Sequence, residues 1–277
     1  MLKNILVHIP SERLIRPLVD GAISLALSHA AQLHAISVGY ETTNVLPFDA
    51  GGAAVAAVFE IEQERALARA DAALAVFEAE ARNACIAFSS QAAASIPAEA
   101  AASVIASARL HDLTIVLQPE PERPTFDNVM AQEILFESGG PVLFVPYVHK
   151  GPLDAKRIGI AWDGSRLAAR ALRDAAPFLK RAQAITIISI NEAQAPAEAS
   201  PKALSAYLAR YGATVRIQRM DADHADIQPS ILSIAADDGL DLIVMGGYGH
   251  SRLQERILGG VTRGMIQSLS VPTLMSH

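Results

Sequence analysis

The chain has 277 residues, 51% of them hydrophobic, 19% charged and 5% aromatic, with a formal net charge of −6. That is more chain than one compact core usually holds, in a globular composition, and the acidic balance argues against a general nucleic-acid binder. A single cysteine, Cys85, excludes an intramolecular disulfide and a cysteine-based metal cluster.

The N-terminus "MLKNILVHIP" lacks the apolar core and small-residue cleavage site of a signal peptide, and no stretch is apolar for long enough to span a bilayer, so a cytoplasmic protein is expected. The first half opens with the short apolar run Asn4 to Pro10, a buried-strand pattern. A helix is predicted over "RPLVDGAISLALSHAAQL" and a strand over "HAISVGY". A loop from Glu41 to Gly52 leads to a long amphipathic helix over Val55 to Asn83, then a third strand at "ACIAFSS". The Ala/Ser-rich stretch Ala92 to Ala108, interrupted by Pro97 and Glu99, reads as a turn followed by a helix from Ala98 to Arg109. "LTIVLQ" is a strand, "PEPERPTF" a proline-rich loop before another helix, and "PVLFVP" the fifth strand.

The second half repeats this order. Strands are predicted at Arg157 to Asp163, "AITIISIN", "ATVRIQRM", "LDLIVMG" and "VPTLM". Helices are predicted at "SRLAARALRDAAPFLKRA", at "PKALSAYLARYG" ending on Gly212, at "QPSILSIAADDG" ending on Gly239, and at "TRGMIQSLS". "DLTIVLQ" parallels "LDLIVMG", and "ESGGPVLFVP" parallels "QSLSVPTLMS", which marks an internal repeat with its junction around Tyr147 to Lys156. The expected fold is α/β: two tandem doubly wound parallel-sheet domains of five strands each, residues 1–150 and 151–277. Ligands in such folds sit beyond the carboxyl ends of the strands where strand order reverses. That directs attention to the loops after Ala161, Ile190 and Met245.

Five glycines lie between Val244 and Thr262. Gly246 and Gly249, at the end of an apolar strand, allow close approach of an anion to backbone amides, and Gly259-Gly260 precede a helix start. The same glycines also suit a plain turn. Gly247 has no assigned role. Asp163, in "AWDGS", could accept from an adenine amino group or a ribose hydroxyl, or simply close an Asp-Gly-Ser turn with Ser165 capping the next helix. Trp162 beside it reads as packing. His250 could donate to a phosphate, and Arg252 and Arg256 are four apart on one side of a helical turn; each also fits an exposed surface. His277 has no partner identifiable from sequence. P-loop, dinucleotide-fingerprint, nucleophile-elbow and metal-spacing patterns are absent. "SGGP" at Ser138 to Pro141 follows a helix and precedes a strand, the wrong context for a serine-glycine phosphate loop. A response-regulator reading wants clustered acids at the first strand and a late lysine, and no lysine follows Lys202.

On "IAWDGSRLAARAL", "DLIVMGGYGHSRLQERILGGVTRGMI" and "VPTLMSH", the second half closely resembles the universal stress proteins, and the whole chain resembles their tandem form. The family motif G-x2-G-x9-G-[ST] matches Gly246, Gly249 and Gly259 in spacing. The resemblance implies a Rossmann-like, adenine nucleotide alpha hydrolase-like fold. It places Gly246, Gly249 and Gly259 along ribose and phosphates, Asp163 with Ala161 near adenine, and Ile190 at the adenine through its backbone. His250, Gly260 and Val261 complete the expected site, and the ligand is ATP or another adenine nucleotide, with Mg as an accompanying ion. Gly260 stands where the motif has a hydroxyl, so binding is expected to be several-fold weaker than with Ser or Thr. The first half departs further: "HIPS" at His8 to Ser11 replaces the aspartate, and "QPEPERP" after Gln118 replaces the glycines, which implies a structural partner without nucleotide. The expected function is a stress-response protein that binds adenine nucleotide in its second domain and acts through protein partners. The alternatives are a weak ATPase using Asp163 or His250, without an assigned catalytic constellation, and a nucleotide-free scaffold. The resemblance also implies pairing of "PVLFVP" with "VPTLM" within one chain, in a monomer or a homodimer.

Overall fold

The computed structural model describes residues 1–13, 15–41, 52–120, 122, 125–191, 196–247 and 260–277, with only the helical backbone for 52–55. The first half forms β1 (Asn4–Pro10), α1 (Arg16–His29), β2 (Gln32–Tyr40), α2 (Gly52–Asn83), β3 (Phe88–Ser95), α3 (Pro97–Ala108), β4 (Leu113–Leu117), α4 (Phe126–Glu137) and β5 (Val142–Val145). The second forms β6 (Arg157–Ala161), α5 (Arg166–Asp174), α6 (Ala176–Leu179), β7 (Ala184–Ile190), α7 (Pro201–Leu208), β8 (Thr214–Met220), α8 (Ile227–Asp237), β9 (Leu242–Gly246), α9 (Val261–Gln267) and β10 (Thr273–Ser276).

All these strands join one sheet in the order β3-β2-β1-β4-β5-β10-β9-β6-β7-β8. Each half therefore has the same doubly wound order, mirrored about the centre. Pairing is parallel except at the centre, where β10 runs antiparallel to β5 with Thr273 opposite Phe144, Leu274 opposite Leu143 and Met275 opposite Val142. The strands are almost continuously apolar because helices cover both faces. One face buries Ile5, Val7, Leu143, Ile160, Val244 and Leu274. The other buries Leu6, Val116, Phe144, Ile188, Met265 and Met275. In the first half strand order reverses between β1 and β4, in the second between β6 and β9. These are the positions where such a sheet opens a crevice at its carboxyl edge.

Two sequence expectations change. The third strand does not cover "ACIAFSS": α2 ends in a turn with Cys85 in a left-handed conformation (φ 54°). β3 starts at Phe88 and takes in Ala92 to Ser95, which pair with Ser37 to Tyr40. Alanine is a good helix former, but eight consecutive parallel pairs with β2 outweigh that preference, and Pro97 starts the helix instead. The helix expected from Ser165 onward is broken into α5 and α6 at Ala175, because Pro177 has no amide to donate and its ring excludes the carbonyl four residues back.

Candidate functional site

At the second half's carboxyl edge, the register of β6 against β9 pairs Ile160 with Val244, so two residues further on Trp162 comes level with Gly246. Trp162 is buried and its Nε1 donates to the Ala199 carbonyl at 2.7 Å, which fixes it as packing. Asp163 is exposed, and its Oδ1 accepts from the Ser165 amide at 2.9 Å across Gly164, whose φ is 74°. The Ser165 hydroxyl accepts from the Ala168 amide at 3.2 Å and caps α5. One Asp163 oxygen is thus committed to the turn, which leaves the group better suited to accepting a ligand hydrogen bond than to activating a water.

Ile190 ends β7, half-buried. Asn191 follows in a left-handed conformation (φ 59°) that asparagine tolerates. Its side chain donates to the Ala222 carbonyl at 2.9 Å and accepts from the Ala222 amide at 3.1 Å, fastening the end of β8. Beside it lies an open cleft of about 770 Å³ lined by Asn191, Met220, Asp221, Asp223, Asp226 and Ser230.

The glycines have separate physical roles. A Cβ on Gly246 would lie 2.7 Å from the Ala168 amide nitrogen and 2.7 Å from the Leu167 carbonyl carbon, so the bare backbone is what lets α5 pack against β9. Gly247, read from sequence as without a role, touches the other half. Its amide donates to the Ser276 carbonyl at 2.8 Å, and a Cβ there would meet Leu135 of α4 at 3.3 Å. His277 is tied in as well: its Nδ1 lies 3.0 Å from the Gly247 carbonyl, and its ring packs edge-on against Phe136 at 5.0 Å. Gly260 is the N-cap residue of α9, Val261 starts the helix, and Ala161 ends β6 half-buried. Gly249, His250, Gly259, Arg252 and Arg256 lie outside the described residues. Among the described residues no group of three or more His, Cys, Asp or Glu side chains is arranged to hold a metal ion, and no helix is long and apolar enough to cross a membrane.

The corresponding edge of the first half is filled by its own side chains. The Arg13 guanidinium donates to the Gln118 carbonyl at 2.7 Å and to Asn128 Oδ1 at 3.2 Å, and lies 3.6 Å from a Glu120 carboxylate oxygen. Asn128 in turn bonds both the amide and the carbonyl of Glu120. Beneath this, the Tyr40 hydroxyl donates to Asp127 Oδ1 at 3.1 Å, and His8 Nε2 lies 3.7 Å from the same oxygen. Burial holds His8 neutral down to about pH 4. Burial likewise pushes Asp127 up to about 7, the Tyr40 hydrogen bond opposing the rise and the Glu12 charge adding to it. Sequence reasoning located the "HIPS" substitution but not its partners, because nothing in local spacing links strand ends so far apart in the chain.

Comparison with known proteins agrees with this architecture. The model of the universal stress protein family matches residues 155–277. A universal stress protein of Methanocaldococcus jannaschii is 42% identical over 45 residues, which are 16% of this chain and 28% of that relative's length. The crystal structure of a universal stress protein from Archaeoglobus fulgidus superposes with a TM-score of 0.72 at 17% identity, over 98% of this chain and 95% of that one. A protein of unknown function from Pseudomonas aeruginosa superposes with a TM-score of 0.60 at 19% identity, over 99% and 92%. At these identities the two structures establish the fold. The family match spans residues 155–277, so by sequence it is the second half of the chain that is similar to the universal stress proteins.

Proposed function

We propose that this stress-response protein binds ATP or another adenine nucleotide at the carboxyl edge of its second domain, residues 151–277, and acts through protein partners rather than by turnover. One observation carries the reading. Asp163 and the glycine segment that begins at Gly246 follow neighbouring parallel strands, β6 and β9, at the reversal of strand order. The wide-spaced Gly246, Gly249, Gly259 pattern supports phosphate contacts. Since the Gly247 amide is engaged with Ser276, those contacts fall to the residues after it, with Gly260 and Val261 at the far end. Ala161 and Ile190 would flank the base, Asp163 would accept from it or from the ribose, and His250 would face the phosphates. Mg would enter with the phosphates. The first domain, residues 1–150, is read as a structural partner, its edge filled by Arg13, Asn128 and Glu120.

Isothermal calorimetry with ATP tests this. The expected result is one nucleotide per chain, weakened by Asp163→Ala and tightened several-fold by Gly260→Ser, which restores one hydrogen bond of about 0.5–1.5 kcal/mol. No heat with wild-type protein overturns nucleotide binding, and two nucleotides per chain overturns the reading of the first domain. Gly246 variants are unsuitable, because they disturb α5 as well as any ligand.

A further inference from the structure

The buried cluster of His8, Tyr40 and Asp127 has no part in the proposed nucleotide site. Their relative exposures are only 1%, 1% and 3%. Asp127 lies in the first turn of α4. Its Oδ2 has no hydrogen-bond partner, and neither has His8 Nε2, which at 3.7 Å from Oδ1 is beyond hydrogen-bond reach. The groups that face Asp127 are His8 from β1, Tyr40 from β2, and Glu12 and Arg13 from the segment after β1, with Glu133 of α4 acting on Tyr40. Arg13 is held by the Gln118 carbonyl, Asn128 and Glu120. His8 stays neutral near pH 7. An Asp127 carboxylate formed there is favoured by the Tyr40 hydroxyl, the Glu12 amide and the Arg13 charge, but among the described residues no cation is paired with it, and burial makes the charge costly. Moving the first turn of α4 toward water relieves it.

The other end of α4 bears on the second half. Leu135 sits against Gly247, and Phe136 against His277, which also reaches the Gly247 carbonyl. Gly247 is the second residue of the glycine segment. A helix of 12 residues moves largely as a rigid rod, so displacement at Asp127 is felt at Leu135 and Phe136.

We propose that gain and loss of the Asp127 proton operates a latch on α4: the protonated side chain holds the helix against β1 and β2, and the ionised one loosens it together with the seat of Gly247. The latch does not depend on a nucleotide, and its test uses none, so its failure and the failure of the proposed function are separate results. Amide hydrogen exchange of the full chain, corrected for intrinsic exchange, is measured between about pH 5.5 and 8.5. The expected result is a several-fold rise in exchange of the α4 amides and of Gly247 across a midpoint near neutrality. Asp127→Asn is expected to hold the slow, low-pH behaviour throughout, and His277→Gln to keep the response. Tyr40→Phe removes a hydrogen bond that favours the carboxylate, so the midpoint moves to higher pH without loss of the fold. A flat wild-type profile, an unchanged response in Asp127→Asn, an unmoved midpoint in Tyr40→Phe, or a rise confined to α4 that leaves Gly247 unaffected overturns the proposal.

Discussion

Burial reverses the usual protonation states of His8 and Asp127. In an unfolded chain between about pH 4 and 6.5 the histidine is charged and the aspartate ionised. In the fold the histidine is neutral above about 4 and the aspartate protonated below about 7, both because burial penalises the charged form. Folded and unfolded states then bind the same number of protons, and the pair contributes almost no slope of stability with pH over that window. Single substitutions expose the two halves of this cancellation. His8→Gln leaves the raised aspartate, whose contribution is complete below about pH 4 and is lost as pH rises toward 7. Asp127→Asn leaves the lowered histidine, whose contribution is complete above about pH 6.5 and is lost as pH falls toward 4. Urea unfolding across this range should give opposite slopes for the two variants, each amounting to about 3 kcal/mol, and a nearly level wild type. Slopes of the same sign would overturn burial as the cause of both shifts. None of this was legible in the sequence beyond the replacement of an aspartate by "HIPS", because Tyr40 and Asp127 lie 87 residues apart and meet only through the sheet.

The glycine segment shows how one feature can satisfy two demands. Its spacing was readable as a phosphate motif, and its place after β9 followed from the apolar run before it. What could not be read is that Gly246 is also required by helix packing, since a ligand and a helix backbone equally exclude a Cβ. Gly246→Ala should push α5 from β9 and cost about 1–3 kcal/mol, the usual penalty of overpacking. Gly247→Ala comes tightest on the end of the flexible Leu135 side chain, with the Ser276 carbonyl oxygen at ordinary contact distance, and should cost less than Gly246→Ala. Thermal melts of the two variants check the order, and equal costs would place the role of Gly246 elsewhere. A similar limit explains β3. Its alanines signal helix by propensity, and only the pairing of Leu33 to Tyr40 with Phe88 to Ser95 makes them strand. Helix ends were more accessible because their determinants are local: Gly212 and Gly239 both take positive φ where the helices were expected to stop.

The two halves are joined at the centre of one sheet, and this bears on how the chain unfolds. Alternating strands and helices gave the doubly wound order of each half, whereas the β5–β10 junction came from family resemblance, since nothing in either apolar strand names its partner. At the junction Val142, Leu143, Phe144, Leu274 and Met275 are fully buried. Around it the halves are tied by the Leu153 amide donating to the Ser24 hydroxyl, by Arg170 and Arg181 donating to the Gly139 and Ser28 carbonyls, and by Phe136 against His277. Separating the halves would expose two apolar strand edges at once, so neither half can open without loss to the other. Unfolding is therefore expected as a single cooperative transition although the chain is longer than most two-state proteins. The sole tryptophan, Trp162, reports the second half, and far-UV circular dichroism reports both. Their urea transitions should coincide in wild type. Leu274→Asp places a carboxylate opposite Leu143 in a fully buried position, and should lower both transitions together by at least about 3 kcal/mol. Should Trp162 alone shift, with the remaining dichroism unfolding as before, the halves would be independent units and the central strand pair a contact rather than a shared core.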